Sequence, residues 1–280
     1  MLFFVALMFQ PESAVQAAVS GTVLLALAWS LFVLDQDGER VFIAQLALAL
    51  SLIGQGLVLY AMAKHRSGIT PVAAAALLLQ TVVAVVMPNR LSRVLSTLFA
   101  TIAWALTLRC VLFGEPVGWS RDHIPGPVST PVALAGWMAT WGPLAAALWW
   151  AVRNEASWAL RGWAPLARPV LTGLIAGLAF ATLASQPFES DRWFGSGQAD
   201  AGGLALWPLL SALGALAALA AAFALRRRAL VALCVVAALL HVGHFYWALG
   251  TSLLVKSLVM LALGGVFLVA AHLLRSWEKP

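Results

Sequence analysis

Residues 14–34 read AVQAAVSGTVLLALAWSLFVL, without one charged side chain. Coiled as a helix, that run is about 31 Å long, the thickness of a bilayer's hydrocarbon core. Working outward, comparable runs recur along the chain. The candidate spans are 14–34, 42–63, 71–87, 94–113, 132–152, 169–186, 204–225, 229–249 and 253–274. Charged residues make up 10% of the chain and apolar ones 62%, with a mean hydropathy of +0.92. A soluble domain carries about one quarter charged residues. In lipid every backbone polar group needs an internal partner, which helices supply. The expected fold is therefore all-α, a polytopic transmembrane bundle of about nine spans. No linker or internal repeat divides it, so residues 1–280 read as one integral-membrane domain.

The start does not fit a tenth span. Met1 to Phe9 is apolar but covers only about 13 Å as helix, and Pro11 interrupts it. No basic segment precedes it, as a signal peptide requires. It reads as the remnant of a helix whose first half is missing, or as a short re-entrant cap.

The connections alternate in charge. Those at 35–41, 88–93, 153–168 and 226–228, with the C-terminal tail, hold eleven Lys and Arg, against four in the opposite set. The positive-inside rule then places the first set and the C-terminus in the cytoplasm. The excess of 17 Lys and Arg over 11 Asp and Glu is thereby read as orientation, not as nucleic-acid binding. Trp149, Trp150, Trp158, Trp163 and Trp277 fall near the same boundary, where indoles concentrate. The stretch 153–168 reads as a short amphipathic segment on that surface. The opposite loops, 114–131 and 187–203, are rich in Gly, Pro and acidic residues. Thr70-Pro71 and Thr130-Pro131 read as helix starts, with Pro169 opening another span. Pro143 and Pro208 are expected to kink the spans that contain them.

Few residues carry chemistry. His241 and His244 share a helix face, and the turn at Gly250-Thr251-Ser252 implies an antiparallel hairpin. That hairpin sets Lys256 at the depth of His244. Arg109 is the second cation within a span. A charge inside the membrane is a functional candidate by default, although near the surface a lysine also snorkels. Two histidines without further ligands do not make a metal or haem site, so no cofactor is expected. Cys110 and Cys234 lie in apolar runs and do not suggest a disulfide framework. Gln45, Gln55 and Gln80 are expected to bond between helices. Gly173-xxx-Gly177 and Gly54-x-Gly56 are expected to let helices approach closely. No nucleophile elbow, zinc-protease helix or phosphate loop is present.

The run Phe245-Tyr246-Trp247-Ala248-Leu249-Gly250-Thr251-Ser252-Leu253-Leu254-Val255-Lys256-Ser257, with Gly264-Gly265 after it, resembles the closing signature of an uncharacterised bacterial membrane family catalogued as domain of unknown function 4401. The segment from Gln45 through Gly54-Gln55 resembles that family's second marker. The resemblance implies a multi-pass protein of the bacterial inner membrane. It further implies a neighbouring membrane-anchored protein bearing a Gly-Asp-Tyr motif, and it directs attention to Tyr246, Lys256 and Ser257. No activity comes with it. The reading from sequence is a non-enzymatic membrane component that binds a partner protein at its outer face. The alternative is a small-solute transporter, and an intramembrane enzyme ranks last.

Overall fold

The computed structural model describes residues 13–35, 40–65, 68–114, 130–184, 206–226, 228–248 and 252–277. Among these residues there are nine α-helices and no strands. They are α1 (Ala14–Leu34), α2 (Val41–His65), α3 (Ile69–Val86), α4 (Arg90–Phe113), α5 (Thr130–Leu160), α6 (Ala164–Ala184), α7 (Leu206–Ala224), α8 (Arg228–Ala248) and α9 (Leu253–Trp277). Each matches one expected span. Five stretches are long and apolar enough to cross a membrane: Ala14–Leu34, Val41–His65, Ile69–Val86, Arg90–Leu112 and Arg228–Tyr246. Apolar side chains such as Leu78, Val82 and Leu239 cover the outside, as a bilayer solvent requires. The remnant or cap expected at 1–9 and the acidic loops at 114–131 and 187–203 lie outside the described residues, apart from Gly114, Thr130 and Pro131.

Helix α6 is central, packing against α4, α5, α7 and α8. Around it lies a core of Trp141, Leu171, Ile175, Leu178, Cys234 and a series of fully covered alanines. A second cluster, Ala28, Phe32, Ala47, Val83 and Met87, joins α1 and α2 to α3. Small residues set the spacing, because helices in lipid associate through close packing, not through expulsion of water. A Cβ placed on Gly54 would stand 2.8 Å from the Gly21 carbonyl, and one on Gly177 would stand 2.6 Å from Thr101 Cβ. Gly173 is equally tight against Val94 and Thr97. Gly56, two residues from Gly54, has nothing within 4 Å. The expected close approach therefore holds for Gly54, Gly173 and Gly177 but not for Gly56.

Hydroxyls inside the bundle bond to their own helix. Thr97, Thr101, Thr107 and Thr140 each donate to the carbonyl four residues earlier, at 2.7–2.9 Å. Such back-bonding satisfies a polar group where no water is available.

Several local expectations need correction. Gly68, with φ at 118°, is the N-cap of α3 and gives no side-chain cap bond. Thr70 therefore sits inside the first turn. Ser13 and Asn89 are side-chain caps, accepting from Gln16 N and from Leu91 N and Ser92 N. Helix α6 begins at Ala164, so Pro169 lies inside it and Pro165 occupies its first turn, where a missing N–H costs no hydrogen bond. Pro208 likewise falls in the first turn of α7, because that helix starts at Leu206. Pro143 is interior to α5 as expected. The segment 153–168 is not a separate surface helix: α5 continues to Leu160, the chain turns at Arg161-Gly162, and α6 starts at once. At about 46 Å, α5 outruns the hydrocarbon core.

Candidate functional site

The polar residues singled out from sequence do not converge. His241 is 1% exposed, and its Nε2 donates to the Ala179 carbonyl at 2.8 Å. A carbonyl only accepts, so Nε2 carries the proton. This bond ties α8 to α6, a packing role for an interior histidine. Lys256 is half-buried, with Nζ 5.2 Å from the centre of the Tyr246 ring. A cation over an aromatic face is held by the ring quadrupole. Ser257 is exposed and donates to the Leu254 carbonyl of its own helix. Among the described residues α9 shows no extended packing along α8 or another helix, while Lys256 and Tyr246 meet across the connection. The turn expected at Gly250-Thr251-Ser252 lies outside the described residues, apart from Ser252. Arg109 is half-buried on α4, whose neighbours are α3, α5 and α6. His241 and His244 thus stay within electrostatic reach of each other on α8 and Lys256 meets Tyr246, while Arg109 lies apart on α4. Among the described residues no three His, Cys, Asp or Glu gather as a metal site would require.

A different polar feature does assemble. Gln80 Nε2 donates to Gln55 Oε1 at 2.8 Å, and Gln55 Nε2 donates to Ser51 Oγ at 2.9 Å. This ladder crosses from α3 to α2, and both glutamines are 4% exposed. Gln80 Oε1 is buried without a partner. Gln45, by contrast, is exposed and bonds to nothing among the described residues. Helices α2 and α3 meet only lightly. The gap between them, backed by α4, is a cavity of about 820 Å³. Leu52, Leu59, Ala76, Phe99 and Leu106 line it, and Gln55 and Gln80 are its only polar side chains. Gly56 also borders it, which explains why a Cβ there meets nothing. That volume falls within the range of small-molecule sites. Hydropathy marks the glutamines in the sequence, as amides within apolar spans. It gave no sign of the cavity, which depends on how far α2 and α3 diverge.

A second polar group lies where the N-terminal ends of α4 and α6 meet the C-terminal part of α5. Arg93 Nη1 donates to the Pro165 carbonyl at 2.8 Å, Arg153 stacks 4.1 Å from the Trp149 ring, and Arg168 meets Glu155 at 3.5 Å. Trp150 and Trp158 pack edge to face with centroids 4.9 Å apart. Sequence placed these residues at a boundary but not in one corner.

Apolar helices with lipid-facing exteriors and internally satisfied hydroxyls define a helical membrane protein. More particularly, the chain belongs to the family described as domain of unknown function (DUF4401), whose profile matches residues 1–195. The Gln45–Gln55 marker lies inside that match and the Phe245–Ser257 run beyond it. No curated protein and no solved structure matches the chain.

Proposed function

We propose that this chain is a non-enzymatic, multi-pass component of the bacterial inner membrane that docks a second membrane protein along α9 and at the outer face beside it. The reading takes all nine helices as spans and the C-terminus as cytoplasmic. The observation that carries it is α9 itself. This helix packs along no other described helix, and nothing lies within 4 Å of a Cβ built on Gly264 or Gly265. Small residues on an uncovered transmembrane helix are where another helix approaches most closely. The neighbour with a Gly-Asp-Tyr motif, implied by the family resemblance, is the candidate partner. Site-specific photocrosslinking tests this: a probe at Ser257 or Gly264 should capture a polypeptide, and one at the lipid-facing Leu78 should capture lipid alone. Lipid adducts at all three positions would refute docking on α9. The cavity floored by Gln55 and Gln80 favours a second reading, passage or binding of a small neutral solute. Substrate flux abolished by filling that cavity, with crosslinks at α9 absent, would favour it over the first.

A further inference from the structure

The corner where α5 turns into α6 has the order of polarity that a phospholipid has. Its cavity, about 480 Å³, is lined at one end by Arg161, Trp158 and Trp163, and towards the bundle by Val85, Leu166 and Val170. The local sequence builds it. Gly162 adopts φ 81° just past the end of α5, and the Trp163 N–H closes back on the Trp158 carbonyl at 3.0 Å. This is the longer of the two bonds of a Schellman end. It brings the backbones of the two tryptophans together on either side of Arg161.

Of the cations near the corner Arg161 alone lines the cavity, and Arg90 at the start of α4 does not. Arg93 is held by the Pro165 carbonyl, Arg153 lies over Trp149, and Arg168 pairs with Glu155. Glu155 is the only acidic residue in α3, α4, α5 or α6. Arg161 forms no ion pair among the described residues. Among the described residues of α3, α4, α5 and α6 the corner therefore has a net positive charge, one cation lining its cavity, and no spare carboxylate to attract an ammonium headgroup.

We propose that this corner binds an anionic phospholipid, with the phosphate on Arg161 and the acyl chains along Val85, Leu166 and Val170. A guanidinium offers a forked pair of donors that matches phosphate oxygens. Indole N–H groups at the interface suit ester carbonyls, and the apolar wall continues into the hydrocarbon. Basic pockets between transmembrane helices recognise lipid headgroups by this chemistry. The site is independent of any protein docking on α9, which is elsewhere in the bundle.

The test uses the full chain purified in mild detergent and native mass spectrometry of retained lipid. Phosphatidylglycerol and phosphatidylcholine with identical acyl chains are supplied in equal amounts. The wild type should retain phosphatidylglycerol about fivefold more, the preference that one surface cation confers. Arg161→Gln should bring the ratio close to one without changing phosphatidylcholine retention or thermal stability. Arg161→Lys should keep most of the preference, and Arg228→Gln all of it. Equal retention by the wild type, or an unchanged ratio in Arg161→Gln, would overturn the proposal. Displacement of phosphatidylglycerol by millimolar inorganic phosphate would also overturn it, by showing a site for the free anion instead of the lipid.

Discussion

Two glycines on α2, two residues apart, should respond oppositely to the same substitution. A Cβ on Gly54 would lie 2.8 Å from Gly21 O and 3.1 Å from Leu25 N. Both are backbone atoms of α1, so no side chain can rotate aside. The contact falls more than about half an ångström inside ordinary van der Waals distance, and the whole helix pair must separate to admit it. Overpacking of this kind costs about 1–3 kcal/mol. Gly56 faces the α2–α3 cavity with nothing within 4 Å, so alanine there meets no resistance and gains up to about 1 kcal/mol of helix propensity. The propensity gain is common to both sites, so Gly54→Ala and Gly56→Ala should differ by the overpacking cost of about 1–3 kcal/mol. Cys110 and Cys234 are buried and in no disulfide, so a thiol-reactive dye reports unfolding in detergent. At about 2–4 °C per kcal/mol, Gly54→Ala should melt several degrees below the wild type and Gly56→Ala at or above it. Gly21→Ala should resemble Gly54→Ala. The double variant should cost less than the sum, since one separation relieves both clashes. Equal melting of Gly54→Ala and Gly56→Ala would refute the crossing geometry.

Other outcomes follow from the same contacts. Gln55→Leu strands the Gln80 amide and should cost about 1–2 kcal/mol of stability, whereas Gln55→Leu with Gln80→Leu should recover most of it, read by the same dye. Lys256→Met loses only a contact with the Tyr246 ring, and the expected cost is about 1 kcal/mol or less. A loss of several kcal/mol, as for a broken buried ion pair, would refute the peripheral placement of α9. Reporter fusions after residue 226 and at the C-terminus should report cytoplasm and one within 187–203 the outside; a cytoplasmic 187–203 would overturn the charge-based orientation.

How far sequence reached depended on the range of the forces involved. Burial in lipid acts on every residue of a span, so nine helices could be read from hydropathy with ends mostly within a few residues. Caps and corners are decided by single backbone angles. Thr70-Pro71 looked like a start, yet Gly68 takes the N-cap of α3 with a positive φ and leaves Thr70 helical. The charges at 153–168 suggested a surface helix because their pattern is amphipathic. Gly162 instead folds the stretch into the end of one helix and the start of the next. Candidate residues were hardest to place. His244 and Lys256 share a depth on paper, but whether two helices stay together past a turn depends on the side chains packed between them. Between the described parts of α8 and α9 the contact is Lys256 over Tyr246, not Lys256 with His244.

The same reasoning explains why the polar residues of this protein divide into two kinds. Inside a membrane bundle a buried polar side chain needs a partner, so its presence alone does not mark a site. His241 on Ala179 O, and each threonine on its own helix, are complete bonds that hold the bundle together. They need nothing from outside the chain. Arg161 differs because its neighbours have consumed the nearby acid and left it facing a cavity that is apolar at depth. Gln80 differs because the ladder ends on it, with one acceptor unmet beside a larger cavity. An unmet buried acceptor costs about 1–3 kcal/mol, a cost that Gln80→Leu combined with Gln55→Leu would remove. If packing is the ladder's only purpose, that double variant should recover most of the stability lost in Gln55→Leu and be unchanged in every assay of ligand or partner. A stable double variant with altered solute binding would instead assign the amides to the cavity.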